Sequence, residues 1–228
     1  MQRHLVITID GPAGAGKTTV SRRLAQRLRY RYVDTGALYR AVALAVRRAG
    51  VEPGDDGALE GLCRGLDVRF VEREGRTRLM LSGEDVTDRI RTPEISMLAS
   101  AVSARAPVRR FLLVLQRRMG REKRAVFEGR DMGTVVFPEA DVKFYLDADP
   151  SVRARRRFEE LAPGTEITLD RVEADIRKRD ADDMGRNLAP LVPAPDAIRI
   201  DSSGLDVDDV VESMLAAIDR STGSGGGR

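Results

Sequence analysis

The chain has 228 residues, 42% of them hydrophobic and 33% charged, with a formal net charge of +3. That length suits one substantial domain with small insertions, and the balanced charge argues against a cationic nucleic-acid-binding surface. With one histidine, His4, and one cysteine, Cys63, a His-based triad, a His/Cys zinc site and an intramolecular disulfide are all excluded.

Leu5 to Asp10 reads L-V-I-T-I-D, a short apolar run suited to a buried parallel strand. Gly11, Pro12, Ala13, Gly14, Ala15, Gly16, Lys17 and Thr18 follow as G-P-A-G-A-G-K-T, which fits G-x-x-x-x-G-K-[ST] at every fixed position. Glycines let several backbone N–H groups face one anion, and a helix starting near Lys17 adds its N-terminal dipole. Lys17 can bridge terminal phosphates and the Thr18 hydroxyl can hold Mg²⁺. Val20, Leu24 and Leu28, with arginines between them, continue as that helix. These residues predict a nucleoside triphosphate ligand.

Further strands are expected at Tyr32–Asp34, Ala125–Glu128, Val142–Leu146 and Ala197–Ile200. Helical patterns lie between them: Ala37 to Arg48, a face marked by Val108, Phe111, Leu112, Leu115 and Met119, and a last helix marked by Val207 to Ile218. The alternation predicts a five-stranded parallel sheet flanked by helices. Two segments interrupt it. Asp67 to Arg91 carries E-G and S-G-E-D turn signals between β-prone stretches and reads as a small antiparallel insertion; Thr92–Pro93 then starts a helix as cap and first turn. Asp149–Pro150 starts an Arg-rich helix, Ala162–Pro163–Gly164 breaks it, and a second helix begins near Thr168. This pair reads as a lid over phosphates, against the plainer alternative of a solvated hairpin whose arginines pair with Glu159 and Glu160. The expected organisation is one P-loop unit over 1–220. Its core is 1–66, 92–148 and 187–220, its insertion about 67–91 and its lid about 149–186, with 221–228 a disordered tail. No apolar stretch is long enough to span a bilayer and no signal peptide precedes the first strand, so a cytoplasmic protein without membrane or nucleic-acid partners is expected.

Of 39 basic residues four are Lys, leaving 35 Arg. A GC-rich genome explains some of these, and phosphate binding explains a clustered few. Carboxylates follow three strands: Asp10, Asp34 and Asp131. Arg40 lies one helical turn beyond Asp34, and Arg130 precedes Asp131. Arg179, Asp183 and Arg186 have the spacing of one helical face, which suits either a phosphate site or a ladder of surface ion pairs. Phosphoryl transfer calls for several fixed cations and needs no histidine.

The chain resembles the bacterial cytidylate kinases, of the nucleoside monophosphate kinase group, from about His4 to Ile218. The motifs are I-D-G-P-A-G-A-G-K-T at Ile9–Thr18, D-T-G-A-L-Y-R at Asp34–Arg40, D-V-R-F at Asp67–Phe70, G-E-D-V-T-D-R-I-R-T at Gly83–Thr92, G-R-D-M-G-T-V-V-F-P at Gly129–Pro138 and A-P-L-V-P-A at Ala189–Ala194. The P-loop is shared by many families; the Gly129–Pro138 motif together with the insertion is more specific. The resemblance implies ATP- and Mg²⁺-dependent phosphorylation of CMP and dCMP by a monomer. It implies that Arg40, Arg130 and Arg179 bind the acceptor phosphate, that Ser100, Arg109 and Arg186 contact cytosine, that Asp183 holds the ribose and that Asp131 and Thr35 lie beside the acceptor. It also implies that Arg153, Arg156 and Arg157 approach the ATP phosphates. Three positions depart from the family. Ala13 and Thr35 each replace a common Ser. Thr18 stands where many relatives have Gly, which makes the Mg²⁺ ligand Thr18 or Thr19. A shikimate-type or uridylate/cytidylate kinase is the rival reading, and the Asp67–Arg91 insertion tells against it.

Overall fold

Apolar runs in the sequence become the strands of two sheets in the computed structural model, which describes residues 4–160 and 167–223. The larger is a five-stranded parallel sheet in the order β2-β6-β1-β7-β8, formed by β1 (Val6–Asp10), β2 (Arg31–Asp34), β6 (Ala125–Gly129), β7 (Val142–Asp147) and β8 (Ile198–Asp201). Registers place Asp10 opposite both Gly129 and Tyr145. The carboxyl ends of the three central strands therefore finish together, where open α/β sheets bind ligands. All five expected strands are present, each within one residue of its expected limits. The smaller sheet is antiparallel, in the order β3-β4-β5, from β3 (Val68–Arg73), β4 (Arg76–Leu81) and β5 (Glu84–Asp85). Residues 86–91, expected within this meander, are not strand.

The chain divides into two compact units. One comprises residues up to Val33 and from Gly120 onward. Its core joins Ile7, Ile9, Phe144 and Leu146 of the sheet to Val20 and Leu24 of α1 (Lys17–Leu28) and to Val210, Val211 and Met214 of α8 (Val207–Gly223). The Arg-rich α6 (Pro150–Glu159) and α7 (Leu169–Met184) belong to this unit and pack around Ala154, Val172 and Ile176. The Thr168 side chain caps α7 by accepting from Arg171 N–H, as its position predicts. The expected break at Ala162–Pro163–Gly164 lies outside the described residues, as do residues 224–228 of the expected disordered tail; residues 221–223 of that tail are instead the end of α8.

The second unit, Asp34–Met119, holds α2 (Thr35–Ala49), α3 (Asp56–Arg64), the small sheet, α4 (Pro93–Ser103) and most of α5 (Ala106–Gly120). Leu38, Val42, Leu59, Leu79, Ile90, Ile95, Val102 and Leu112 form its core. Thr92 caps α4 by accepting from Ile95 N–H, and Pro93 occupies the first turn.

Three features depart from the sequence reading. α3 has no counterpart there: two glycines dilute its pattern, yet Asp55 caps it and Leu59 and Cys63 are buried. Met132–Val136 is a π-helix, a form that recurs at functional sites. Arg186 is not on a helical face, because α7 ends at Met184 and Gly185 closes it with its N–H on Ala181 C=O.

Candidate active site

Gly11 starts the P-loop at φ +153, and a Cβ there would lie 2.0 Å from the Leu146 carbonyl oxygen, so only glycine lets the loop leave β1 beside β7. The Gly11–Gly16 loop ends on α1, whose first residue is Lys17. Lys17 is buried, and its Nζ donates to the Pro12 carbonyl at 2.5 Å. Burial pushes its pKa well below the usual 10.5, the Arg130 and Arg179 charges push the same way, and Glu128 and Asp10 oppose them. A desolvated ammonium beside two guanidiniums is an arrangement that an anion would relieve. Thr18 and Thr19 are exposed at the start of α1, and Thr18 Oγ1 donates to Glu128 Oε1 at 2.9 Å. Tyr32 Oη donates to the same oxygen at 2.8 Å.

Asp10, buried at the end of β1, accepts from the N–H groups of Met132 (2.9 Å) and Gly133 (2.7 Å). It thereby satisfies two donors at the start of the π-helix that follows Arg130 and Asp131. Burial raises its pKa from 3.8 to about 6, against the two backbone hydrogen bonds. Asp183 behaves oppositely. Burial raises its pKa too, but Arg130 and Arg186 outweigh that and hold it below 3.8. Arg130 Nε donates to Asp183 Oδ2 at 2.8 Å, and Arg186 Nη2 donates to Oδ1. The surface ion-pair ladder therefore does not describe this group: Asp183 is a buried carboxylate between two arginines, one of them from the distant Gly129–Pro138 motif.

The two carboxylates have separable pH signatures. A raised native pKa means that ionised Asp10 opposes folding, fully above about pH 6, and that the native state gains stability as pH falls from 6 toward 3.8. Asp183, with a depressed pKa, stabilises above 3.8 and loses that contribution only below it. Between pH 6.5 and 4.5, Asp10→Asn is therefore expected to remove a stability slope worth about 2 kcal/mol in the parent. Urea unfolding of both proteins across that range checks this; equal slopes would contradict it.

On α6, Arg153 is buried. Its Nε donates to the Ala148 carbonyl (2.8 Å) and its Nη1 donates to the Ala13 carbonyl (3.0 Å) and to Asp180. Arg156 donates to the Ser202 hydroxyl (3.0 Å) and carbonyl (2.7 Å), and its Nη1 lies 3.9 Å from where a Cβ would stand on Gly16. Arg157 is exposed and pairs with Glu160 at 2.8 Å, the pairing that the plainer hairpin reading expects. The structure thus brings Lys17, Arg130, Asp131, Arg179, Asp183 and Arg186 into one unit with the P-loop. It buries Arg153 against the Ala13 carbonyl of that loop.

In the other unit, Asp34 caps α2 by accepting from Ala37 N–H at 2.9 Å, and its second oxygen accepts from Arg40 Nη2 at 3.0 Å. Arg91 Nη2 stands 3.7 Å from that oxygen. Arg40 Nε is buried without a hydrogen-bond partner. Thr35, the first residue of α2, is buried. Ser100 is half-buried on α4, and Arg109 on α5 donates to the Ser103 carbonyl at 3.1 Å with its guanidinium 5.8 Å from the Tyr39 ring centre. Sequence reasoning missed Asp180, Glu128 and Arg91; a carboxylate after Arg179 and an Arg closing the insertion were the available signals.

The family model described as cytidylate kinase matches residues 7–220. The chain belongs to the cytidylate kinase family. A cytidylate kinase from Syntrophotalea carbinolica is 52% identical over 96% of this chain and 93% of its own length. One from Geobacter sulfurreducens is 53% identical over 95% and 94% respectively. Among solved structures, a shikimate kinase from Bacteroides thetaiotaomicron aligns with a TM-score of 0.51 at 13% identity, covering 95% of this chain and 99% of that one. This likeness establishes the P-loop kinase fold and nothing about the acceptor. The family motifs fall on the elements described above: D-T-G-A-L-Y-R opens α2, and G-R-D-M-G-T-V-V-F-P joins β6 to the π-helix. No helix among the described residues is long and apolar enough to cross a membrane.

Proposed function

We propose that the chain transfers the terminal phosphoryl group of ATP to CMP and dCMP, forming CDP and dCDP with release of ADP. The observation that carries this reading is Lys17, buried at the start of α1 directly after the P-loop glycines, with the positive charges of Arg130 and Arg179 acting on it. Such a cluster fits a reaction in which charge spreads over the transferring group and the protein supplies fixed positive charge. An acceptor phosphate oxygen attacks the γ-phosphorus as the bond to the ADP oxygen breaks. The loop from Gly11 to Thr19 holds the donor, with Lys17 on its terminal phosphates and Arg156 and Arg157 closing from the lid. Arg40, Arg130 and Arg179 bind the acceptor phosphate. Thr35 and Asp131 flank it, Asp183 holds the ribose hydroxyls, and Ser100, Arg109 and Arg186 read the base.

Among the described residues no cluster of three or more His, Cys, Asp or Glu could cage a metal. That fits Mg²⁺, which keeps several waters and binds through phosphates and one or two protein oxygens. Thr18, or Thr19 beside it, would supply the hydroxyl, and the ion would neutralise charge on the donor phosphates. ADP release measured across all nucleoside monophosphates tests the proposal. CMP and dCMP are expected to lead the series. A profile led by AMP, GMP or UMP would overturn it.

A further inference from the structure

Ala13, in the P-loop, uses both of its backbone polar groups on the α6–α7 hairpin. Its N–H donates to Asp180 Oδ1 at 3.2 Å, and its carbonyl accepts from Arg153 Nη1 at 3.0 Å. Arg153 Nη1 also donates to the second oxygen of Asp180, which closes a ring of three hydrogen bonds. Arg153 Nε donates to the Ala148 carbonyl, so α6 is anchored to the end of β7 as well. The two side chains are 6% and 10% exposed. The next residue, Gly14, has φ +76, and a Cβ there would lie 2.9 Å from the Arg153 carbonyl oxygen and 3.0 Å from its Cβ. The loop therefore presses directly on the backbone of α6.

A buried ion pair stabilises little by itself and is tolerated where its remaining donors and acceptors are satisfied in a fixed geometry. Here they are satisfied by both peptide groups of one P-loop residue, Ala13, and by the Ala148 carbonyl. Gly-rich loops owe their anion affinity to N–H groups that point inward before the anion arrives. We propose that Asp180 and Arg153 are positioning residues for the phosphate donor: the lid hairpin fixes the P-loop at Ala13, and this clasp sets the loop in its anion-binding conformation. The proposal rests on the donor reading of the loop. It gives Arg153 a different task from direct contact with phosphate and assigns Asp180, which that reading leaves unused.

The test uses the full chain with Asp180→Asn, Arg153→Lys and the double variant. Calorimetric binding of ATP without any acceptor is measured beside KM for ATP and for CMP. Asp180→Asn keeps the shape but removes the charge-assisted acceptor, so ATP should bind about tenfold more weakly. KM for CMP at saturating ATP should change less than about twofold. Arg153→Lys should do the same, and the double variant should be no worse than either single one, since one ring is broken once. Unchanged ATP binding, parallel loss for ATP and CMP, or additive effects in the double variant would each overturn the clasp; a merely structural pair would lower stability without separating the two substrates. If the variants do not fold, amide exchange in the parent decides. The Ala13 amide should exchange slowly without ligand, and fast exchange there refutes the proposal. Failure of the parent itself to bind ATP would refute the donor reading instead.

Discussion

Lys17→Ala should lower kcat by about 10²–10³-fold while leaving the fold intact. Lys17 is a buried cation whose one described hydrogen bond is to the Pro12 carbonyl, with Arg130 and Arg179 repelling it. Removing such a group relieves desolvation and like-charge repulsion in the empty enzyme, so the melting temperature should hold or rise. The loss should fall on the transition state, where charge moves onto the donor and the lysine has no substitute. kcat should therefore drop far more than KM for ATP rises. Paired thermal melts and steady-state kinetics read both quantities. A folded Lys17→Ala protein with near-normal turnover would refute the phosphate-donor assignment.

Much of this molecule is written in local sequence, and the parts that are not have a common cause. The P-loop could be read because its chemistry depends on covalent spacing: Gly11, Gly16 and Lys17 sit where G-x-x-x-x-G-K requires. Caps could be read for the same reason, with Thr92 and Thr168 each accepting from the N–H three residues on. α3 escaped because its buried face is only Leu59 and Cys63, in a nine-residue helix that also carries Gly57 and Gly61. The π-helix escaped because M-G-T-V-V has no helical period, and the acceptor for its first N–H groups, Asp10, is more than a hundred residues away.

The site divides along the same line. Arg130, Asp131 and Arg40 stand within short motifs, which is why the sequence alone makes them candidates. Whether Asp183 was a surface rung or a buried hub could not be read, because its partner Arg130 comes from another motif 53 residues earlier. The ring through Ala13, Arg153 and Asp180 joins residues 140 and 167 positions apart. Spacing carries no trace of such a ring, and in the sequence Arg153 looks like its α6 neighbours Arg156 and Arg157.

Base choice should show the other large effect: kcat/KM for CMP should exceed that for UMP by about 10²-fold or more. Cytosine offers O2 and N3 as acceptors, whereas uracil places a donor at N3. Arginine can only donate, so an Arg fixed against that edge meets a like partner in uracil and leaves two donors buried and unpaired. Arg186 is fixed: it donates to Asp183, which Arg130 holds from the other side, and its side chain is 10% exposed. Arg186→Ala should therefore cost CMP far more than it costs the weak UMP reaction, and the gap between the two bases should narrow. Arg186→Lys should not restore it, since a single ammonium cannot reproduce the planar fork. dCMP should remain a good acceptor, because Asp183 can still accept from the 3′-hydroxyl. Truncating Arg186 leaves Asp183 paired with Arg130, so the variant avoids most of the roughly 3–5 kcal/mol cost of orphaning a buried charge, and a melt confirms that it is folded. Comparable kcat/KM for CMP and UMP in the parent enzyme would refute this assignment of the base-reading residues and favour a uridylate/cytidylate kinase.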